Sequence, residues 1–338
     1  MELEGHDDDQ WTGQPTIERN MDKRLPKYVL FKGDNGNYMA AVTPPDTDQV
    51  YLQFYVSPED KLMARCRHTI EYTNDSDGSI RIKSDYYDGM YWKLSPNWIW
   101  VNSSDSSDSD SYRNTLFRPV KIGEGTYALQ NLGNGNYCHR LTADYKQSCL
   151  NASSPSIGRE AYLTVEEAVL SRRIYDIQYR TKEAKIHNEK VITLTSREAF
   201  NSTTTSDKMT LGLKYTIAKE RKWDSSVSMK FGVKTTLQAG IPEVASAGIE
   251  IETEFSSSYD WGQSIQETVE ESTDYEVTVP PSTKVKVSVV AKQATCDIPF
   301  SYTQEDVLTT GETVKTTFND GIYRGVNSYD VKIEHSLL

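Results

Sequence analysis

Five side chains in and just before the stretch YWKLSPNWIW suit carbohydrate: Trp92, Asn97 and Trp98, with Tyr91 beside them and Asp88 upstream. An aromatic face can stack on the apolar face of a sugar ring, while Asn and Asp bond its hydroxyls. Pro96 sets Asn97 in a loop. The same tryptophans, with Trp100, can instead alternate into a core or cap, and spacing alone leaves both readings open. No other chemistry has a comparable set of residues. The five histidines form no HExxH pair and the four cysteines no CxxC pair, so no metal or cofactor is expected. Cys138 and Cys149 are near enough to bridge a hairpin, yet free thiols are expected for a chain without a secretory signal. No catalytic motif is visible, and the chain is not expected to be an enzyme.

These residues need a scaffold, and the sequence supplies it by repetition. Segments starting at Lys27, Ser79 and Thr126 each read as a strand, a turn of the form Asn/Asp-Gly-x-Tyr, and a second strand. The turns are Asn35-Gly36-Asn37-Tyr38, Asp88-Gly89-Met90-Tyr91 and Asn134-Gly135-Asn136-Tyr137. Asn-Gly and Asp-Gly accept the positive φ angles of tight hairpin turns. Further apolar strands follow near Arg65, Thr115 and Ala161. Three units of about four strands predict a β-trefoil, since a propeller needs at least four blades.

The segments LPKYVLFKGDNGNYMAA, YWKLSPNWIWV and NTLFRPVKI make roughly residues 25 to 168 resemble the agglutinin domain of amaranthin-like plant lectins. The resemblance implies a β-trefoil that binds galactose and N-acetylgalactosamine glycans at shallow sites where two domains meet. The family's Trp-x-x-Ser-Pro-Asn-aromatic segment falls on Trp92, Ser95, Pro96, Asn97 and Trp98, and the resemblance thereby adds Ser95 as a sixth sugar-contact candidate.

At 338 residues the chain is long enough for two domains. A formal charge of −12 argues against nucleic acid as a partner. No run of about 20 apolar residues is present to cross a membrane as a helix. The start, MELEGHDDDQ, has no signal-peptide pattern, so cytosolic synthesis is expected, with residues 1–24 an acidic, flexible extension. The Ser- and Asp-rich stretch from Asn102 lacks calcium-loop spacing and reads as a solvated loop.

Near Ser171 the repeat stops, and long Thr- and Ser-rich strands occupy 171–338. Within them, about 227–259 alternates with a period of two on both sides of a turn containing Ile-Pro. Val227, Met229, Phe231, Val233, Leu237 and Ile241, then Ile249, Ile251 and Phe255, share the apolar face. Lys230, Lys234, Glu250, Glu252 and Glu254 lie on the polar one, with one net negative charge. Folding the arms about Val244 places Lys234 near Glu254. Both arms exceed the 9 to 11 residues a tilted transmembrane strand needs, so the apolar face could meet lipid and the polar face a lumen preferring cations. A lone hairpin would leave unpaired backbone edges in hydrocarbon, which demands a ring of copies. Such alternation also fits a half-buried strand of a water-soluble sheet.

TVPPSTKVKVSVVAKQATCDIPFSYTQEDVL, with NDGIYRGVNSYDVKIE, makes residues 172 to 338 resemble aerolysin-like proteins of the epsilon-toxin and mosquitocidal-toxin family. That resemblance implies soluble monomers that assemble on a target membrane and convert one hairpin per chain into a barrel. Together the two resemblances lead us to expect an all-β, glycan-directed pore former, a plant defence protein acting on cell-surface glycans. The alternative is a non-lytic cytosolic lectin whose second domain serves oligomerisation or stress signalling.

Overall fold

A computed structural model describes residues 24–44, 48–73, 78–104, 112–225 and 233–338. Among them the regular structure is β-strand with short 3-10 turns. Strands β1 (Tyr28–Lys32), β4 (His68–Tyr72), β5 (Ile80–Ser84), β8 (Phe117–Gly123), β9 (Thr126–Asn131) and β12 (Leu163–Glu167) pair antiparallel in that order. Pairing of β12 back to β1 closes the ring. The hairpins β2 (Tyr38–Val42) with β3 (Tyr51–Val56), β6 (Met90–Ser95) with β7 (Trp98–Ser103), and β10 (Tyr137–Ala143) with β11 (Lys146–Ser154) cap it. Their inner strands meet at Tyr51↔Trp100, Asn151↔Trp98 and Cys149↔Gln53, the three-way junction of a β-trefoil.

The repeated turns are built alike: Gly36, Gly89 and Gly135 have φ of 81°, 68° and 75°. Each is the left-handed position for which glycine has no Cβ penalty. Alternate residues of every unit, among them Phe31, Leu52, Phe54, Ile82, Trp92, Ile99, Phe117 and Leu129, fill one core. His68 is sealed in it between Phe31 and Trp92, with its ring 5.0 Å from the indole. All four cysteines are buried thiols, and burial pushes those of Cys66, Cys149 and Cys296 up to about 11.

The second sheet begins one residue after β12. It comprises β13 (Val169–Tyr179), β14 (Lys185–Asn201), β15 (Asp207–Asp224), β16 (Lys234–Ala245), β17 (Gly248–Ser258), β18 (Ile265–Val279), β19 (Thr283–Leu308) and β20 (Thr313–Leu337). Its order is β17-β16-β13-β19-β20-β15-β18, with β14 also on β19. At about 3.3 Å per residue, β19 can span some 85 Å with its 26 residues, and its burial alternates along the strand with one change of phase at Lys292-Gln293. The fold is thus all-β, a β-trefoil followed by an elongated sheet of long strands.

A buried charge cluster ties the two together. Arg172 of β13 holds Glu167 of β12 (2.5 Å) and Asp306 of β19 (2.7 Å). Burial pushes the Glu167 carboxyl up in spite of Arg172. Arg67 donates to Thr310 at 2.8 Å and the Thr309 amide to the Ala168 carbonyl at 3.1 Å.

Burial lowers the His68 pKa from 6.5 to about 3. The unfolded chain therefore takes up a proton first as pH falls, so stability present above pH 6.5 is lost between there and pH 3. At pH 5 this amounts to about 2 kcal/mol. His68→Phe should flatten the fall in trefoil melting temperature between pH 7 and 5, and an unchanged slope would show that His68 is not the acid-sensitive group.

Candidate functional site

The six sugar-contact candidates do not form one site. Asp88 is exposed in the β5–β6 turn with φ of 50°, while Ser95 and Asn97 are exposed at the opposite end of β6. At 3.3 Å per residue that strand separates them by roughly 20 Å. Trp92, expected as a platform, is a correction: it is 0% exposed, stacked edge-on to Phe117 in the trefoil core. Period-two alternation turns it inward together with Leu94. Tyr91 is also withdrawn. Its ring lies 3.4 Å under the Arg81 guanidinium, its hydroxyl donates to Glu71 at 2.5 Å, and burial with that carboxylate pushes its pKa up.

Trp98 faces the other way. It is nonetheless buried, 6% exposed, and packs with Trp100, Tyr51 and Cys149 in a cluster separate from the trefoil core. The β10–β11 turn, Asp144-Tyr145, folds over this aromatic layer. Lys146 sets its ammonium 5.0 Å from the Trp98 ring and 5.2 Å from that of Tyr51. The Trp98 indole N–H donates to an Asp144 carboxylate oxygen at 3.3 Å, and that of Trp100 to the Ser95 carbonyl at 2.6 Å. Ser95, Asn97 and Trp98 are therefore brought together with Tyr51, Asp144 and Lys146. Sequence reasoning missed this last group because it comes from two other repeats, and only trefoil closure assembles it.

The alternating segment is a hairpin, β16–β17, docked on β13 in parallel register from Ser171↔Lys234 to Ile174↔Leu237. Val227, Met229, Lys230 and Phe231 lie outside the described residues. Leu237, Ala239, Ile241 and Val244 are buried, Val233, Ile249 and Phe255 partly so, and Lys234, Glu250 and Glu254 are exposed. Two expectations are corrected. The turn falls at Ser246-Ala247 rather than Val244, so Glu254 sits opposite Gly240 and takes a 2.5 Å bond from Gln238, while Lys234 lies beside Ser171. Ile251 is 52% exposed, next to a bulge between Gly240 and Ile241 that sets Glu252 against Ile241 and breaks the alternation there. Glu252 is placed by this backbone pairing alone.

Side chains of the surrounding strands hold the hairpin through its backbone. Tyr179 donates to the Gly240 carbonyl (2.8 Å) and Tyr323 to that of Pro242 (3.0 Å). Asn327 makes two hydrogen bonds to Val244, its amide N–H donating to the carbonyl at 2.8 Å and its oxygen accepting from the backbone N–H at 2.9 Å. Glu243 accepts from Lys219 at 2.8 Å, and Ser246 pairs with Asp330. Burial pushes the Tyr179, Tyr259 and Tyr323 hydroxyls up, Tyr259 to about 12, which keeps all three as donors. Beneath them Trp223 stacks on Phe255 at 5.4 Å and Trp261 closes on Tyr302.

Asn327→Leu removes both partners of the Val244 peptide groups and leaves them buried. At about 1 to 3 kcal/mol for each such group, amide hydrogen exchange across 234–258 should quicken by at least about tenfold, with the trefoil amides unmoved. Equal exchange in the two proteins would mean that Asn327 does not hold the hairpin.

Residues 23–166 match the Agglutinin domain family model. Natterin-2 of Thalassophryne nattereri is 26% identical over 84% of this chain and 73% of its own. Natterin-3 of the same fish is 30% identical over 51% of this chain and 47% of its own. The crystal structure of lamprey immune protein aligns over 92% of this chain and 91% of its own, at 15% identity with a TM-score of 0.43. An aerolysin-like protein of Bombina maxima covers 49% of this chain and 99% of its own at 14% identity and a TM-score of 0.33. The relatives named by sequence come from a fish, so the expected plant setting gains no support.

Proposed function

We propose that this chain, whose N-terminal trefoil matches the Agglutinin domain model and whose second sheet we read as aerolysin-like, captures glycans on a target membrane and perforates it. The observation that carries this reading is a mismatch of register. β15 and β18 pair residue against residue from Asp207↔Val279 to Arg221↔Ile265, and the docked hairpin is simply the chain between them. Continued at the same register, that ladder sets Lys234 opposite Glu252 and turns at Glu243. Odd-numbered residues then pair only with odd, even only with even. Val227, Met229, Phe231, Val233, Leu237, Ile241, Ile249, Ile251 and Phe255 gather on one face, and Lys230, Lys234, Glu250, Glu252 and Glu254 on the other. The docked form breaks this pattern at its bulge, leaving Ile251 in water. The alternation fits the straightened hairpin better than the docked one.

The energetics make release conditional. Burying Leu237, Ile241 and Val244 contributes roughly 1.5 to 3 kcal/mol each, and the backbone bonds from Tyr179, Tyr323 and Asn327 about 1 kcal/mol each. Water alone does not offset that sum. A bilayer returns the apolar burial, and neighbouring copies in a ring satisfy the strand edges. Glycan capture concentrates the chains on one surface and raises the effective concentration for assembly.

The full chain should release calcein from vesicles that carry a recognised glycan, form a ring-sized species on them, and in planar bilayers pass cations in preference to anions. Binding without leakage and without any change of size would favour the non-lytic lectin. Anion preference would contradict the lumen assigned to Lys230, Lys234, Glu250, Glu252 and Glu254.

A further inference from the structure

Two consecutive non-glycine residues in the left-handed region form the β10–β11 turn: Asp144 with φ of 50° and Tyr145 with φ of 61°. The turn joins Ala143 to its cross-strand partner Lys146, the two-residue hairpin in which glycine is favoured at the second position. A bulky residue there is a conformational outlier. Tyr145 gains nothing within the molecule for this strain, since its relative exposure is 112%, the full side chain standing in solvent. An Asp-Gly turn would hold Lys146 over the aromatic layer equally well. Strain of this kind, unrewarded by packing, collects at functional sites.

The neighbouring groups define a ligand chemistry. One Asp144 carboxylate oxygen is engaged by the Trp98 indole, and the other has no partner among the described residues. Lys146 is held beside it by three aromatic rings and a 3.3 Å bond to the Asp144 carbonyl, so its ammonium is a positioned donor. An exposed aromatic face, a free carboxylate acceptor and a positioned ammonium donor within three consecutive residues match a sugar ring with adjacent hydroxyls. The opposite charges of Asp144 and Lys146 balance, which favours a neutral saccharide over an acidic one. We infer that the Asp144-Tyr145-Lys146 turn, over Trp98, is a binding site for a neutral terminal sugar. This rests on the carbohydrate reading of the trefoil and names where that contact is made.

The test is binding of the full chain to immobilised oligosaccharides ending in galactose, N-acetylgalactosamine, mannose or sialic acid. Wild type should bind at least one neutral terminus. Tyr145→Gly, which relieves the strain, should leave the melting temperature equal or higher while weakening that binding tenfold or more. Asp144→Asn should weaken it similarly, and Tyr145→Trp should retain it. Tyr86→Ala, which removes a 45% exposed tyrosine elsewhere on the trefoil, should change nothing. Full binding by both Tyr145→Gly and Asp144→Asn overturns this site and leaves the lectin reading standing. Absence of wild-type binding to every oligosaccharide overturns both.

Discussion

The apolar face of β16 has to be kept from water, and most of the second sheet is arranged to do so. Leu237, Ala239 and Val244 are covered by an aromatic floor of Trp223, Tyr259, Trp261, Phe300, Tyr302 and Tyr323, drawn from segments far apart in the chain. Because the hairpin pairs through β13 on one edge only, its tip would otherwise have unsatisfied backbone groups. Tyr179, Tyr323 and Asn327 answer them from the side. Side-chain clamps of this kind differ from a strand ladder in one useful respect. They release a few bonds at a time and leave β13, β19 and β20 paired to one another.

The trefoil and the sheet are joined by a buried charge cluster. Arg172 shares its guanidinium between Glu167, at the end of the closing barrel strand, and Asp306, on the central strand β19. Removing one member of a buried ion pair typically costs about 3 to 5 kcal/mol. The cluster thus couples the trefoil to β13 and β19, and β13 is the strand on which the hairpin is docked.

Much of this architecture was legible in sequence because it is periodic. Three Asn/Asp-Gly-x-Tyr turns announced the trefoil, and each glycine has the left-handed φ that its turn demands. The alternation of 227–259 marked a two-faced hairpin. What the pattern could not reveal was register: the arms pair from Thr236↔Ser258 to Ala245↔Gly248, which sets the turn at Ser246-Ala247, and a one-residue bulge at Gly240 and Ile241 interrupts the ladder beside the exposed Ile251. Nor could it say which tryptophan faced which way. Trp92 and Trp98 are both apolar residues in adjacent short strands, and only barrel closure sends one into the core and the other to the outer cap. The Asp144-Lys146 turn was invisible because its partners, Tyr51 and Trp98, belong to different repeats.

A reversible covalent lock on the hairpin tests the central claim directly. Arg173 and Thr236 are cross-strand partners of β13 and β16, both exposed, and the four native thiols are buried. Arg173→Cys with Thr236→Cys would tether the hairpin to its seat when oxidised. The account predicts that the oxidised protein binds glycan-bearing vesicles without permeabilising them and that reduction restores leakage. Undiminished leakage from fully cross-linked protein would contradict it, because the membrane-spanning segment would then lie elsewhere.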